Sequence, residues 1–302
     1  MASFLLRRMW RAGAALTASA LIVAAVGTSA DADELELVEP GKLHVALNGD
    51  MPGTGLEGGE LKGLDGQIMA WIAEQLGLEV VPHMMDWASE IESVKSGRVD
   101  VMHGMMAWTQ DREKVLSISD PVYYVSPVIT QPTGQEWNSV EDVQDKTFGT
   151  ITGFALVPDL KRIPGLELKL YDTTDAAIRD LMAGRVEAIF ADPPLIHWAI
   201  RQNPDWEIHY VPIAEYNPEY PVFTQRYGVV FALNHEADNL LAAFNEQIAK
   251  LWESCTNWEI ADQYGMADLA WFTPPDSSER PGIDRPEDWQ PPSLAEACKT
   301  DS

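Results

Sequence analysis

Cysteine and basic residues are what this 302-residue chain has least of: two Cys, and 21 Lys plus Arg against 47 Asp plus Glu, for a formal net charge of −26. Such an excess of acid disfavours nucleic acid and anionic membrane surfaces as partners, because like charge repels at long range. It does not speak to the fold, and a salt-loving host accounts for it as readily as a cationic ligand does. The six His, at positions 44, 83, 103, 197, 209 and 235, include no i, i+4 pair and have no Cys partner. No metal cage and no cofactor are expected from them. His103 reads as a satisfied structural residue at the end of a strand. Nucleophile elbows, phosphate-cradling Gly loops and dinucleotide fingerprints are also missing. Gly53-x-Gly55 and Gly58-Gly59 read as a loose turn between the first strand and the first helix.

Long apolar runs are scarce as well. One stretches from Ala14 to Val26, preceded by Arg7, Arg8 and Arg11 and followed by small residues that offer a cleavage site at Ala30-Asp31-Ala32. It is shorter than the ~20 residues a membrane span needs, so residues 1–32 read as a secretory signal peptide and the mature chain is expected in the periplasm. Residues 1–30 carry three Arg and no acid, so their removal makes the remainder more acidic still. No Cys near the cleavage site could accept a lipid anchor. In an oxidising compartment Cys255 and Cys298 are expected to pair, tying the C-terminal tail to the last helical region.

What the chain does have is repetition. Lys95-Ser96-Gly97-Arg98-Val99-Asp100-Val101-Met102 is echoed by Met182-Ala183-Gly184-Arg185-Val186-Glu187-Ala188-Ile189. Each copy follows a helical pattern, places Gly where a helix ends with positive φ, and runs into a short apolar strand suited to a sheet buried on both faces. A repeat this long argues for two α/β lobes with a ligand cleft between them.

In the first half the pattern predicts strands Leu43–Leu47, Leu78–His83 and Val99–His103 alternating with helices Leu64–Leu76 and Trp87–Lys95. The second half predicts strands Thr147–Ile151, Leu166–Tyr171, Val186–Ala191 and Glu207–Val211 with helices Phe154–Lys161, Thr174–Met182 and Pro194–Gln202. Such alternation implies parallel-rich sheets flanked by helices. Val122 to Thr130 reads as a connector strand. Strand Tyr227–Leu233 and helix Ala237–Trp252 return to the first lobe, giving two hinge crossings. The expected division is 33–127 with 224–272 as lobe 1, 128–223 as lobe 2, and 273–302 as an irregular tail.

Several motifs converge. Gly63-Leu64-Asp65, Ser96-Gly97-Arg98-Val99-Asp100, Thr109-Gln110-Asp111-Arg112, Ser119-Asp120-Pro121-Val122-Tyr123, Phe148-Gly149-Thr150-Ile151-Thr152-Gly153 and Gly184 through Asp192 follow one another in the order and spacing of a known family. The chain resembles the family 3 bacterial extracellular solute-binding proteins over about residues 40 to 265. The resemblance implies a two-lobed type II periplasmic binding fold and a monomer that is not an enzyme. Such a protein closes on a small molecule, most often an amino acid, and presents it to the inner-membrane permease of an ABC importer.

By that resemblance Arg112 forks onto a ligand carboxylate and Asp192 accepts from its ammonium group, pairings that suit a planar guanidinium and a desolvated cation. Each has a plainer alternative: Arg112 as a surface charge on a turn capped by Thr109, and Asp192 as a cap for the Pro-started helix after it. Family members usually carry hydroxyls at the positions of Met105 and Ala107 and after the glycine matching Gly153, where this chain has Phe154-Ala155. Trp87, Trp108 and Phe154 bring rings to the expected cleft, and Asp50 and Asp86 bring acids to its rim. Rings with acids suit a cationic or zwitterionic ligand, although each Trp is as readily core. Two other functions fit the same pattern: an accessory protein docking on a periplasmic oxidoreductase, and a cyclohexadienyl-dehydratase-like enzyme using a cleft carboxylate.

Overall fold

The computed structural model describes residues 35–276 and 278–299, so the signal peptide expected over residues 1–32 lies outside the described residues. The chain builds two large sheets. In the first, the order is Glu79–Met84, Lys42–Leu47, Val101–Ala107, Tyr227–Leu233 and Ser117–Ile118, with Tyr123–Val125 also paired to Tyr227–Leu233. In the second it is Glu167–Tyr171, Thr147–Ile151, Ala188–Ile189, Val128–Pro132 and Ile208–Pro212. The first three strands of each order run parallel, and the fourth is antiparallel and comes from a crossing segment.

The echoed motif does the same job in both sheets. Helices Trp87–Lys95 and Thr174–Met182 end alike: Gly97 and Gly184 sit at φ 66° and 65°, and the next amide, of Arg98 or Arg185, bonds back to the carbonyl of Ser93 or Asp180. That closure satisfies carbonyls the helix would otherwise leave open and turns the chain into its strand.

Alternation along a strand supplies two cores per sheet. Leu43, Val45 and Leu47 pack with Ile68, Ile72, Phe231 and Phe244 beneath helices Leu64–Gln75 and Asp238–Glu253, whereas Ala46 faces Val94, Met102 and Met106. Phe148 and Phe190 anchor one face of the second sheet; Ile151, Ile178 and Ile189 anchor the other.

Several expected elements differ. The connector is not one strand but two, because Pro127 lacks the N–H a continuous ladder needs; Tyr123–Val125 pairs in the first sheet and Val128–Pro132 in the second. The strand expected over Val99–His103 runs instead over Val101–Ala107, carrying its end into the cleft. The helix expected over Phe154–Lys161 is a single turn, Val157–Leu160, whose bonds shorten to i→i−3 at Arg162 and Ile163 before Pro164. The loose glycine turn is a hairpin, Gly55–Glu57 against Glu60–Lys62, since Gly58 and Gly59 both take the positive φ that a tight turn demands.

The tail has little regular structure but is firmly anchored. Cys255 and Cys298 are bonded. The buried Arg280 guanidinium donates to the Ile118 and Ser119 carbonyls and pairs with Asp284 at 2.6 Å, while Arg285 pairs with Asp120 at 2.7 Å. Leu294 and Cys298 are buried in the core beneath the first sheet, so apolar packing and charge pairing hold the tail together.

Candidate functional site

Arg112 is placed by a short turn, Gln110–Glu113, whose first amides are capped by Thr109: its hydroxyl accepts from the Arg112 N–H at 3.2 Å. The guanidinium then reaches back. Nη1 donates to the Ala107 carbonyl at 2.7 Å, Nη2 to the Gly153 carbonyl at 3.5 Å, and the group lies 5.6 Å from the Trp87 ring centroid. Gly153 follows a strand of the second sheet, so this side chain spans the two sheets. Burial pushes its pKa down to about 10, against the pull of Asp192 and Tyr227, so Arg112 remains charged at neutral pH.

Asp192 comes from the other side, between strand Ala188–Ile189 and helix Pro193–Gln202. It makes no capping bond to that helix, whose opening Pro193 and Pro194 offer no N–H, so the capping alternative does not hold. Its Oδ1 accepts instead from the Tyr227 hydroxyl at 3.2 Å. Burial raises the carboxyl pKa to about 7, with the tyrosine bond opposing and Asp50 adding to the rise.

These two groups line one cavity with Trp87, Met105, Ala107 and Phe154, all expected from sequence, and with Gly104, Val222 and Tyr227, which were not. The space is about 30 Å³, which holds water but not an amino acid, so a ligand needs the cavity to widen. Trp87 can lie against the strand because Gly104 has no side chain; a Cβ there would fall 2.9 Å from the ring. Met105 sits at φ 56°, costly for a side chain of its size. The fully buried Asp65 holds it there by accepting from the Met105 N–H at 2.7 Å, while its other oxygen accepts from the Tyr123 hydroxyl at 2.7 Å. Burial raises Asp65 to about 6 despite those bonds.

Three expected residues lie outside this cavity. Trp108 points out of this cavity, its Nε1 donating to Asp284 of the tail at 3.1 Å. Alternation is the reason: it follows Ala107 at the strand end and takes the opposite face. Asp50 lines a neighbouring groove with Thr173, Thr174 and Asp175, and its pKa is raised by burial and by the Asp175 charge. Asp86 caps helix Trp87–Lys95, accepting from the Ser89 N–H at 3.0 Å. His103 is not satisfied as expected: it is fully buried, neither ring nitrogen has a hydrogen-bond partner among the described residues, and burial lowers its pKa to about 3. Glu90 escaped the sequence reading altogether. It is buried beneath helix Trp87–Lys95 with both carboxyl oxygens unpartnered among the described residues, and burial, with Asp50 and Asp86 adding, raises it to about 9. A lone Glu in a first helical turn gives no signal of this.

Residues 43–267 match the family model of the bacterial extracellular solute-binding proteins, family 3, and the chain belongs to that family. Among curated relatives, a probable histidine-binding protein of Neisseria gonorrhoeae is 23% identical over 80% of this chain and 90% of its own length. The L-cystine-binding protein TcyJ of Escherichia coli (strain K12) is 24% identical over 82% of this chain and 92% of its own. Among solved structures, an ancestral arginine-binding protein bound to arginine aligns with a TM-score of 0.66 at 25% identity, over 74% of this chain and 98% of that one. The architecture is that of the two-lobed type II periplasmic binding proteins.

Proposed function

We propose that the chain is the periplasmic capture component of an ABC importer, and that it closes on a small amino-acid-like zwitterion or cation. Residues 33–127 with 224–272 form one lobe and 128–223 the other, with residues 1–32 directing export and the mature protein acting as a monomer. One observation carries this reading: a guanidinium from the first sheet and a carboxylate from the second line the same closed cavity. Opposite charges from opposite lobes grip opposite ends of a zwitterion, so binding and closure become one event. On ligand entry Arg112 would exchange the Ala107 and Gly153 carbonyls for a carboxylate, and the Asp192 carboxylate would take the ammonium against Tyr227. The rings of Trp87 and Phe154 supply apolar and cation-facing walls. Relatives named for binding histidine, cystine and arginine favour an amino-acid-like ligand.

The test is a thermal-shift screen of the exported protein against amino acids, betaines, ectoines, polyamines and short peptides. A ligand held only by the folded state raises the melting temperature. A hit recovered unchanged by mass spectrometry supports a carrier. Chemical conversion of the hit, or no response to any of these classes, refutes this reading.

A further inference from the structure

A second cavity, of about 260 Å³, shares Ala107, Val222 and Tyr227 with the cleft but is otherwise walled by different residues. Pro121 and Tyr124 come from the hinge side of the first sheet; Pro275, Trp289 and Pro291 come from the tail, beyond the stretch the family model matches. The tail wall is tied to the first sheet. Trp108 and Trp289 each lie against the Arg280 guanidinium, at 5.8 and 5.4 Å from ring centroid to cation, and Tyr124 donates to the Pro292 carbonyl. An apolar cavity of about 150 Å³ suffices for benzene, so this one has room for a bicyclic ring.

Its polar groups point to the rest of the ligand. Arg280 has its donors engaged by Asp284 and two carbonyls. Arg226, just before strand Tyr227–Leu233, is different: Nη2 donates to the Ala270 carbonyl, whereas Nε is buried with no hydrogen-bond partner among the described residues. A buried cationic N–H without an acceptor is costly, and a carboxylate is the acceptor that relieves it best. The nearby acids do not bond to it: Asp111, Asp276 and Glu279 are solvent-exposed, Asp111 pairs with Lys114 at 2.7 Å, and Asp276 acts on Arg226 through its charge while Nε keeps no hydrogen-bond partner among the described residues.

We infer that this cavity is a second ligand site, separate from the Arg112–Asp192 cleft, for a small aromatic monocarboxylate whose ring lies among the proline and aromatic walls and whose carboxylate meets Arg226.

Indole-3-acetate is the probe, titrated by thermal shift and by tryptophan fluorescence. Wild type and Arg112→Ala should respond with the same midpoint, since the cleft is not used. Arg226→Met should weaken binding about tenfold or more, the effect of losing a charge-assisted bond. Ser278→Trp, which fills the cavity from the tail side, should abolish the response. Neutral indole should bind wild type about tenfold less tightly. No response of wild type at millimolar probe, loss of response in Arg112→Ala, or unchanged affinity in Arg226→Met would each overturn the assignment. The first and third outcomes leave the cleft reading untouched, and a failure of the amino-acid screen leaves this site standing. If Ser278→Trp does not fold, the comparison of Arg226→Met with wild type decides alone.

Discussion

The Tyr227 hydroxyl donates to Asp192 Oδ1 at 3.2 Å, which ties the strand returning to the first sheet to an acid that ends a strand of the second. This bond crosses the hinge beside Arg112, and it helps set when Asp192 carries charge, which governs how the cleft meets a cation.

Asp192 has its pKa raised by burial to about 7 in the ligand-free protein, so below that pH it is largely protonated and an ammonium ligand must displace the proton. Affinity for such a ligand should fall as pH drops below about 7 and level off above it, with proton release on binding near pH 6. Calorimetry in buffers of different ionisation enthalpy reads this directly. Tyr227→Phe removes a bond that lowers the pKa, so the midpoint should move upward. Affinity independent of pH between 5 and 8 would contradict the role given to Asp192.

Arg112→Ala and Asp192→Ala should each weaken ligand binding by ~2–4 kcal/mol, because each leaves a charge of the ligand buried without its counterpart. Their far-ultraviolet circular dichroism should match wild type. Wild-type affinity in either variant would remove that residue from the site.

Glu90 is an internal cost. Its folded pKa of about 9 lies above the ordinary 4.5, so the folded state holds a proton that the unfolded state releases. That contribution is fully present below about pH 4.5 and is lost progressively as pH rises toward 9. Glu90→Gln should flatten this slope, and Glu90→Leu should raise stability by roughly 1–3 kcal/mol by removing an unpaired buried polar group. Urea titrations at pH 5 and 9 test both; an unchanged slope in Glu90→Gln would exclude this group as its source.

The Cys255–Cys298 bond closes a loop of sequence separation 43, for which the loss of unfolded-state entropy corresponds to ~4 kcal/mol. Cys298→Ser should lower stability by about that amount and expose the tail to proteolysis. Reductant should produce the same loss in wild type and none in the variant.

Much of this molecule could be read without coordinates. Periodicity placed helices Trp87–Lys95 and Thr174–Met182 and strands Thr147–Ile151 and Tyr227–Leu233 to the residue. Arg112 and Asp192 stood out through the resemblance to the family, on the motifs Thr109–Arg112 and Gly184–Asp192 that carry it. Tyr227, Val222 and Gly104 did not, because a tyrosine opening a strand or a glycine within one acquires meaning only from what faces it.

The amino-acid sequence by itself determined the two-lobed plan and the echoed helix ends, which rest on local periodicity, the disulfide, which rests on there being two Cys, and, through the motifs of the family it resembles, the two charges that meet in the cleft. Only the tertiary structure decided that Trp108 turns away to the tail, that Asp65 holds Met105 in its unusual backbone conformation, and that the buried Glu90 and the half-buried Arg226 keep polar atoms unpartnered among the described residues. Burial and hydrogen-bond partnership arise between segments far apart in the chain, and no local pattern encodes them.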